Sequence, residues 1–198
     1  METEIEAKFL NIDSDKIRTR LKEIGAIMEY PERLMRRKVF DYPDAKLEAE
    51  GAWVRVRDEG EGKITLSYKK LIDRSIYGTK EITLNVSDFT TACNFLQACG
   101  LNSKSYQETK REKWLLDESE ITIDTWPWIP TFVEIESGKE DDVRKISDLL
   151  GFDWAKVLHG SVETAYQDIF DVTEDEIDGW EEITFIPVPD WLEIRRKF

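Results

Sequence analysis

Alternation of apolar and charged residues runs through most of the chain, and it starts almost at the first residue. In Glu4-Ile5-Glu6-Ala7-Lys8-Phe9 an extended backbone sends Glu4, Glu6 and Lys8 to one face and Ile5, Ala7 and Phe9 to the other. The same period of two predicts strands over residues 26–30, 34–42, 52–57, 63–70, 76–86, 106–116, 120–126 and 131–136. Helical periodicity replaces it over 16–24, from a cap at Ser87 to about Cys99, over 139–150 and over 162–170, with Gly25, Gly100 and Gly151 as stops. The predicted order is strand, helix, four or five strands, helix, three strands, helix and a tail. Short connections between the strands favour antiparallel pairing.

The face opposite the apolar one is charged, not merely polar. Alternation places Glu4, Glu6, Lys8, Arg55, Arg57, Lys69, Glu81, Arg111, Lys113, Asp124, Glu134 and Glu136 together on it. An open sheet would show these ions to water, whereas a closed barrel would trap them where they must be paired or bound. A polyphosphate with a divalent cation satisfies both halves of such a set. Arginine and lysine match phosphate oxygens, and carboxylates match Mg2+ or Mn2+, hard cations that bridge protein to phosphate. The run Arg36-Arg37-Lys38 is strongly basic for a strand and reads equally well as a solvated edge.

Composition narrows the function classes. Hydrophobic residues make up 40%, enough for a real core, so disorder is not expected. A formal net charge of −14 counts against non-specific nucleic-acid binding, which needs a basic surface. A local basic site in an acidic chain suits a small anionic ligand. Neither a signal-peptide pattern nor a long apolar run is found, so a cytoplasmic protein without membrane association is expected. Cys93 and Cys99 have neither metal nor disulfide spacing and read as reduced helix residues. His159, the single histidine, argues against a His-rich zinc site and reads as structural or exposed.

Taken in order, these residues resemble the CYTH superfamily, the triphosphate tunnel metalloenzymes. Glu4-x-Glu6-x-Lys8 looks like its defining motif. Arg55-x-Arg57 resembles the third-strand basic pair and Lys69 the fourth-strand lysine. Glu81 resembles a fifth-strand glutamate, and Arg111 with Lys113 the sixth-strand basic pair. Asp124 resembles the seventh-strand acid and Glu134-x-Glu136 the eighth-strand acidic pair. The resemblance covers residues 1–170 and leaves 171–198 as an acidic and aromatic extension. It implies an α+β fold, an eight-stranded antiparallel β-barrel forming a tunnel with helices outside. It implies metal ligation by Glu4, Glu6, Asp124, Glu134 and Glu136, and phosphate binding by Lys8, Arg55, Arg57, Lys69, Arg111 and Lys113. Lys8, Arg57 and Glu136 would act at the reacting centre, with Glu81 and Tyr166 as further tunnel residues.

The family groups class IV adenylyl cyclases, thiamine triphosphatases and inorganic tripolyphosphatases. The segment 124–136 and the tyrosine-containing tail lean toward the cyclase branch, with ATP converted to cyclic AMP and pyrophosphate. Hydrolysis of tripolyphosphate or thiamine triphosphate is the enzymatic alternative, and a non-catalytic polyphosphate-binding module or a purely salt-bridged scaffold are the others. Two positions depart from the pattern. Ala7 stands where many hydrolase members carry a base, and Lys38 stands where cyclase-like members carry an acid. The helix around Tyr166 either plugs a tunnel mouth or simply packs on the barrel. Trp126 and Trp128 either stack on a base or close a barrel end. The aromatic stretch 180–191 either covers an apolar patch or makes a homodimer contact.

Overall fold

A computed structural model describes residues 1–197. In chain order the strands are β1 (Glu2–Phe9), β2 (Ile27–Asp41), β3 (Ala52–Asp58), β4 (Ile64–Leu71), β5 (Thr79–Val86), β6 (Asn102–Leu116), β7 (Ser119–Thr125), β8 (Phe132–Ser137) and β9 (Glu182–Ile183). The helices are α1 (Ser14–Glu23), α2 (Lys46–Ala49), α3 (Phe89–Ala98), α4 (Glu140–Leu150), α5 (Glu163–Ile169), α6 (Glu174–Asp178) and α7 (Asp190–Glu193). The first eight strands pair antiparallel in the order β2-β3-β4-β5-β1-β8-β7-β6, and β6 pairs with β2 to close the ring. This is the closed eight-stranded barrel with outer helices, an α+β fold. β9 adds in parallel to the far end of β6, through Tyr106 and Gln107, and so ties the tail to the barrel.

Closure turns the alternation of every strand into an inside and an outside. The outward apolar rows are covered by two packed layers. α1 and α4 lie on one side, where Leu21, Val143 and Ile146 meet Ala7, Phe9, Ile121 and Ile135. On the other side α3 brings Ala92, Cys93 and Leu96 onto Phe40 and Val56. A third cluster closes one end of the barrel: Trp126 and Phe132 pack with Tyr166, Phe170, Ile177, Ile183 and Leu192. The helices that supply this end have seven, five and four residues. Helices that short do not persist in water on their own, so burial of their aromatic and aliphatic side chains holds them. Each large side chain taken fully from water contributes about 1.5–3 kcal/mol. Among the described residues, no helix is long and apolar enough to cross a membrane.

Several boundaries differ from expectation for identifiable reasons. Segments 26–30 and 34–42 form one strand, because register shifts at Met28/Tyr30 and Tyr30/Arg33 absorb Pro31, which has no N–H to give the ladder. β5 begins only at Thr79, since the preceding residues close a tight loop in which Ile72 N donates to Gly78 O at 2.8 Å and Gly78 N to Ser75 O at 3.0 Å. The cap of α3 is Asp88, not Ser87: its carboxylate accepts Thr91 N at 2.6 Å. The short helix α2 was not foreseen. It is held by buried Asp41, which accepts from the N–H groups of Tyr42, Leu47 and Glu48 at 2.6, 2.9 and 2.9 Å. Cys93 and Cys99 are free thiols, the first buried and the second exposed at the end of α3.

Candidate active site inside the barrel

The strand order sorts the inward charges into two walls. The neighbouring strands β6, β2, β3 and β4 carry Arg111 and Lys113, Arg33 and Arg37, Arg55 and Arg57, and Lys69. The neighbouring strands β5, β1, β8 and β7 carry Glu81, Glu4 and Glu6, Glu134 and Glu136, and Glu120 and Asp124. Two residues break the rule. Lys8 stands on the acidic wall, and Glu59 lies just past β3 on the basic one. Acids from opposite ends of the sequence meet because β1 pairs with β8, with Glu6 opposite Glu136 and Lys8 opposite Glu134.

Where the walls touch, they form ion pairs. Lys69 Nζ reaches both oxygens of Glu4, at 2.7 and 2.9 Å, and Glu81 Oε2 at 3.5 Å. Arg111 forms a fork on Asp124 at 2.6 and 2.9 Å, and its Nη2 also reaches Glu134 at 2.7 Å. Thr122 donates to the same Asp124 at 2.6 Å. Lys8 Nζ is held by Glu6 at 2.6 Å, Glu134 at 3.2 Å and the Gly160 carbonyl at 2.6 Å. Gly160 has φ +91°, a conformation that favours glycine. The chain around it is fixed by a bridge between Leu158 and Lys8, and His159 Nδ1 lies 3.0 Å from the Glu6 carbonyl oxygen.

The pairing is uneven. Buried Glu59 takes Arg57 Nε and Nη2 at 3.1 and 2.5 Å, with Lys63 at 2.9 Å, and the two bases outweigh burial to hold its carboxyl at about 2. Among the described residues Arg55 reaches one carboxylate, Glu81 at 3.6 Å, and burial with the neighbouring Arg57 lowers it to about 10. Arg37 has no carboxylate partner among the described residues. The Nε atoms of Arg33, Arg37 and Arg55 are buried without a hydrogen-bond partner among the described residues. On the acidic wall Glu136 makes no ion pair among the described residues. Burial and the facing Glu6 push it up to about 7, against the pull of Lys69. Burial likewise raises Glu4, opposed by Lys69 and aided by a hydrogen bond shared with Glu81.

The sequence-derived site residues other than Tyr166 and Lys113 line the barrel in separate clusters. Glu6, Lys8, Arg111, Asp124 and Glu134 are ion-paired together. Glu4, Arg55, Lys69 and Glu81 form a second group, Arg57 pairs with Glu59, and Glu136 stands opposite Glu6. Lys113 is drawn to the rim by Glu29 and Glu120, at 3.0 and 2.6 Å. The Tyr166 hydroxyl donates to Pro127 O at 2.9 Å, and its ring sits in the end cluster against Trp126 and Trp180. Trp126 itself is buried, with Arg37 over its ring at 4.6 Å. Trp53 shares the inward parity of Arg55 and remains partly exposed. Arg33, Arg37 and Glu59 were not singled out from sequence, and Lys38 faces out toward Cys93 and α3. The parity that selects Arg55 and Arg57 would have selected Arg37, but the run Arg36-Arg37-Lys38 hides it.

Among the described residues, no three acidic, histidine or cysteine groups converge closely enough to hold a metal ion. Glu4, Glu6, Glu81, Asp124 and Glu134 are turned toward lysines and arginines instead. Their chemistry nonetheless suits a hard divalent cation: the donors are carboxylate oxygens, and the Glu6/Glu136 pair carries a repulsion that a cation would relieve.

A family model described as the CYTH domain matches residues 2–164. A search of curated proteins finds no match. Among solved structures, a Vibrio parahaemolyticus protein described as a candidate adenylate cyclase superposes with a TM-score of 0.73 at 15% identity, over 84% of this chain and 98% of that one. A Pyrococcus horikoshii protein gives 0.66 at 19% identity, over 82% and 98%. A Hippeastrum protein described as a candidate adenylyl cyclase with a dominant triphosphatase activity gives 0.59 at 13% identity, over 90% and 95%. At these identities the likeness is one of fold.

Proposed function

The chain belongs to the CYTH family, and on that premise we propose that it hydrolyses a phosphoanhydride bond of a triphosphate lying between the two walls of the barrel, with Mg2+ or Mn2+ as cofactor. The observation that carries this reading is the surplus of unpartnered charge on each wall. Buried guanidinium nitrogens without acceptors cost free energy that a polyanion returns. Arg55, Arg57, Lys69 and Arg111 hold phosphate oxygens, with Lys8 reaching from the opposite wall. Glu4, Glu6, Glu134 and Glu136 hold the cation. Asp124 is already taken by Arg111 and Thr122, so in this arrangement it serves first to aim Arg111. The cation, when bound, neutralises phosphate charge and acidifies water.

Hydrolysis is preferred over cyclisation because it needs only the phosphate and cation sites, whereas a cyclase also needs a pocket that aims a ribose hydroxyl at the α-phosphate. Water can reach partly exposed Glu120 and Glu136, although Glu4 and Asp124 on the same wall are buried. Trp53 supports a second reading. A partly exposed ring beside Arg55, in register with Lys69, offers a stacking surface for the nucleoside of ATP or the rings of thiamine triphosphate.

Incubation of the protein with tripolyphosphate, thiamine triphosphate or ATP, each with Mg2+ or Mn2+, separates the readings. Free phosphate is the expected product. Cyclic AMP with pyrophosphate would establish the cyclase instead, and no turnover of any of the three would remove the enzymatic reading.

A further inference from the structure

Among the described residues, Arg37 is the barrel's buried arginine without a carboxylate partner. Its side chain is buried, its residue being 6% exposed, and among the described residues it makes a single hydrogen bond, from Nη2 to Thr109 Oγ1 at 2.9 Å. Its Nε has no partner. Its cross-strand neighbour on β3 is Arg57, so a second guanidinium stands where a carboxylate would be expected. Burial, then Arg55, Arg57 and Arg111, all work against its charge, and Asp124 relieves this only in part. An arginine does not escape by losing its proton. Removing a buried guanidinium from water without an anion is costly, so the side chain is held in wait for one.

The surroundings limit what that anion can be. The Trp126 ring covers one face of Arg37 at 4.6 Å. Behind it lie Phe132 and Tyr166, 1% and 0% exposed, and the Tyr166 hydroxyl is spent on Pro127 O. No bulky group can pass on this side. Arg33 stands four residues away on the same strand, roughly 13 Å along it, so the two arginines mark different stations on the basic wall.

We infer that Arg37 binds the terminal phosphate of the substrate, completing a cradle with Arg55 and Arg57, and that it thereby selects triphosphates having at least one unesterified end. This rests on the triphosphate reading above and extends it to a residue outside the family motif. Any organic substituent must then point away from Trp126.

The test is titration of the full-length protein with tripolyphosphate and with a dinucleoside triphosphate, whose two terminal phosphates are both esterified. Wild-type protein and Arg37→Gln and Arg37→Lys variants are compared, with thermal unfolding of each in the absence of ligand. Arg37→Gln is expected to bind tripolyphosphate roughly ten- to a hundredfold more weakly, the loss of one or two charge-assisted hydrogen bonds. The preference for tripolyphosphate over the diester should shrink by the same factor. Arg37→Lys should recover part of both, and the ligand-free melting temperature of Arg37→Gln should not fall. Unchanged tripolyphosphate affinity in Arg37→Gln would overturn the inference while leaving the triphosphate reading intact. An equal loss for both ligands, together with a lower ligand-free melting temperature, would make Arg37 a structural residue. Wild-type protein that binds neither ligand would overturn the triphosphate reading and this inference together.

Discussion

Replacing Lys8 by methionine is expected to lower the unfolding free energy by about 3–5 kcal/mol at pH 7, the usual consequence of removing one partner from a buried ion pair. Lys8 is 2% exposed and its ammonium bridges Glu6, Glu134 and the Gly160 carbonyl. Methionine keeps the stem's apolar contacts and leaves both carboxylates facing each other across β1 and β8. Burial opposes the Lys8 charge, but Glu6 and Glu134 outweigh it and raise its pKa, so the wild-type ammonium is present throughout the usable pH range. For Glu134, burial is outweighed by Lys8 and Arg111, and the carboxyl is lowered. A lowered carboxyl contributes stability above its unfolded value near 4.5, and loses it as the pH falls through the folded one. The deficit of Lys8→Met should therefore be largest at neutral pH and should shrink in acid. Urea unfolding at pH 7 and at pH 3 measures it. Equal midpoints for the two proteins at pH 7 would show that Lys8 does not carry this pairing.

Glu136→Gln is expected to act in opposite directions on stability and on turnover. Burial and Glu6 raise this carboxyl to about 7, with Glu120 and Glu134 adding to the repulsion and Lys69 opposing it. The folded protein thus binds the proton more tightly than the unfolded chain. Stability contributed by a group of this kind is present at low pH and declines as the pH rises from about 4.5 to about 7. At a unit of pKa per 1.36 kcal/mol the decline is on the order of 3 kcal/mol. Glutamine removes the charge and keeps the shape, so the ligand-free variant should be the more stable protein at pH 8 and the two should converge near pH 4. The same change removes a carboxylate from the cation side and should abolish metal-dependent turnover. A variant that is less stable than wild type at pH 8 would remove the repulsion argument, and one that keeps full turnover would exclude Glu136 from the cation site.

Much of this arrangement can be read from local sequence, because a strand's period of two needs no partner to be visible. β1 announces Glu4, Glu6 and Lys8, and β8 announces Glu134 and Glu136, from alternation alone. What alternation cannot supply is which strands become neighbours. The separation into an acidic and a basic wall follows from the β1–β8 and β2–β6 pairings, and these are long-range. The same reason hides Arg37, whose burial depends on Arg57 and Gln107 from two other strands. It also hides Glu59, which lies beyond the alternating run and is drawn inside by Arg57 and Thr65. Tyr166 was visible as a tail-helix residue, but its hydroxyl's engagement with Pro127 depends on a loop 39 residues earlier. The extension after Phe170 carried no periodic signal. Its order comes from Ile177, Ile183 and Leu192 filling the barrel end, a packing relation that propensity does not encode.

The reading of the barrel as a tunnel for a polyphosphate and a divalent cation is tested most directly by calorimetric titration of the wild-type protein with tripolyphosphate, with and without Mg2+. The basic wall alone should bind tripolyphosphate. Mg2+ should tighten that binding, and tripolyphosphate should tighten Mg2+ binding by the same factor, as linkage requires. Tripolyphosphate that fails to bind under either condition would contradict it, since the buried Nε atoms of Arg33, Arg37 and Arg55 that lack an acceptor among the described residues would then have some other reason to be there.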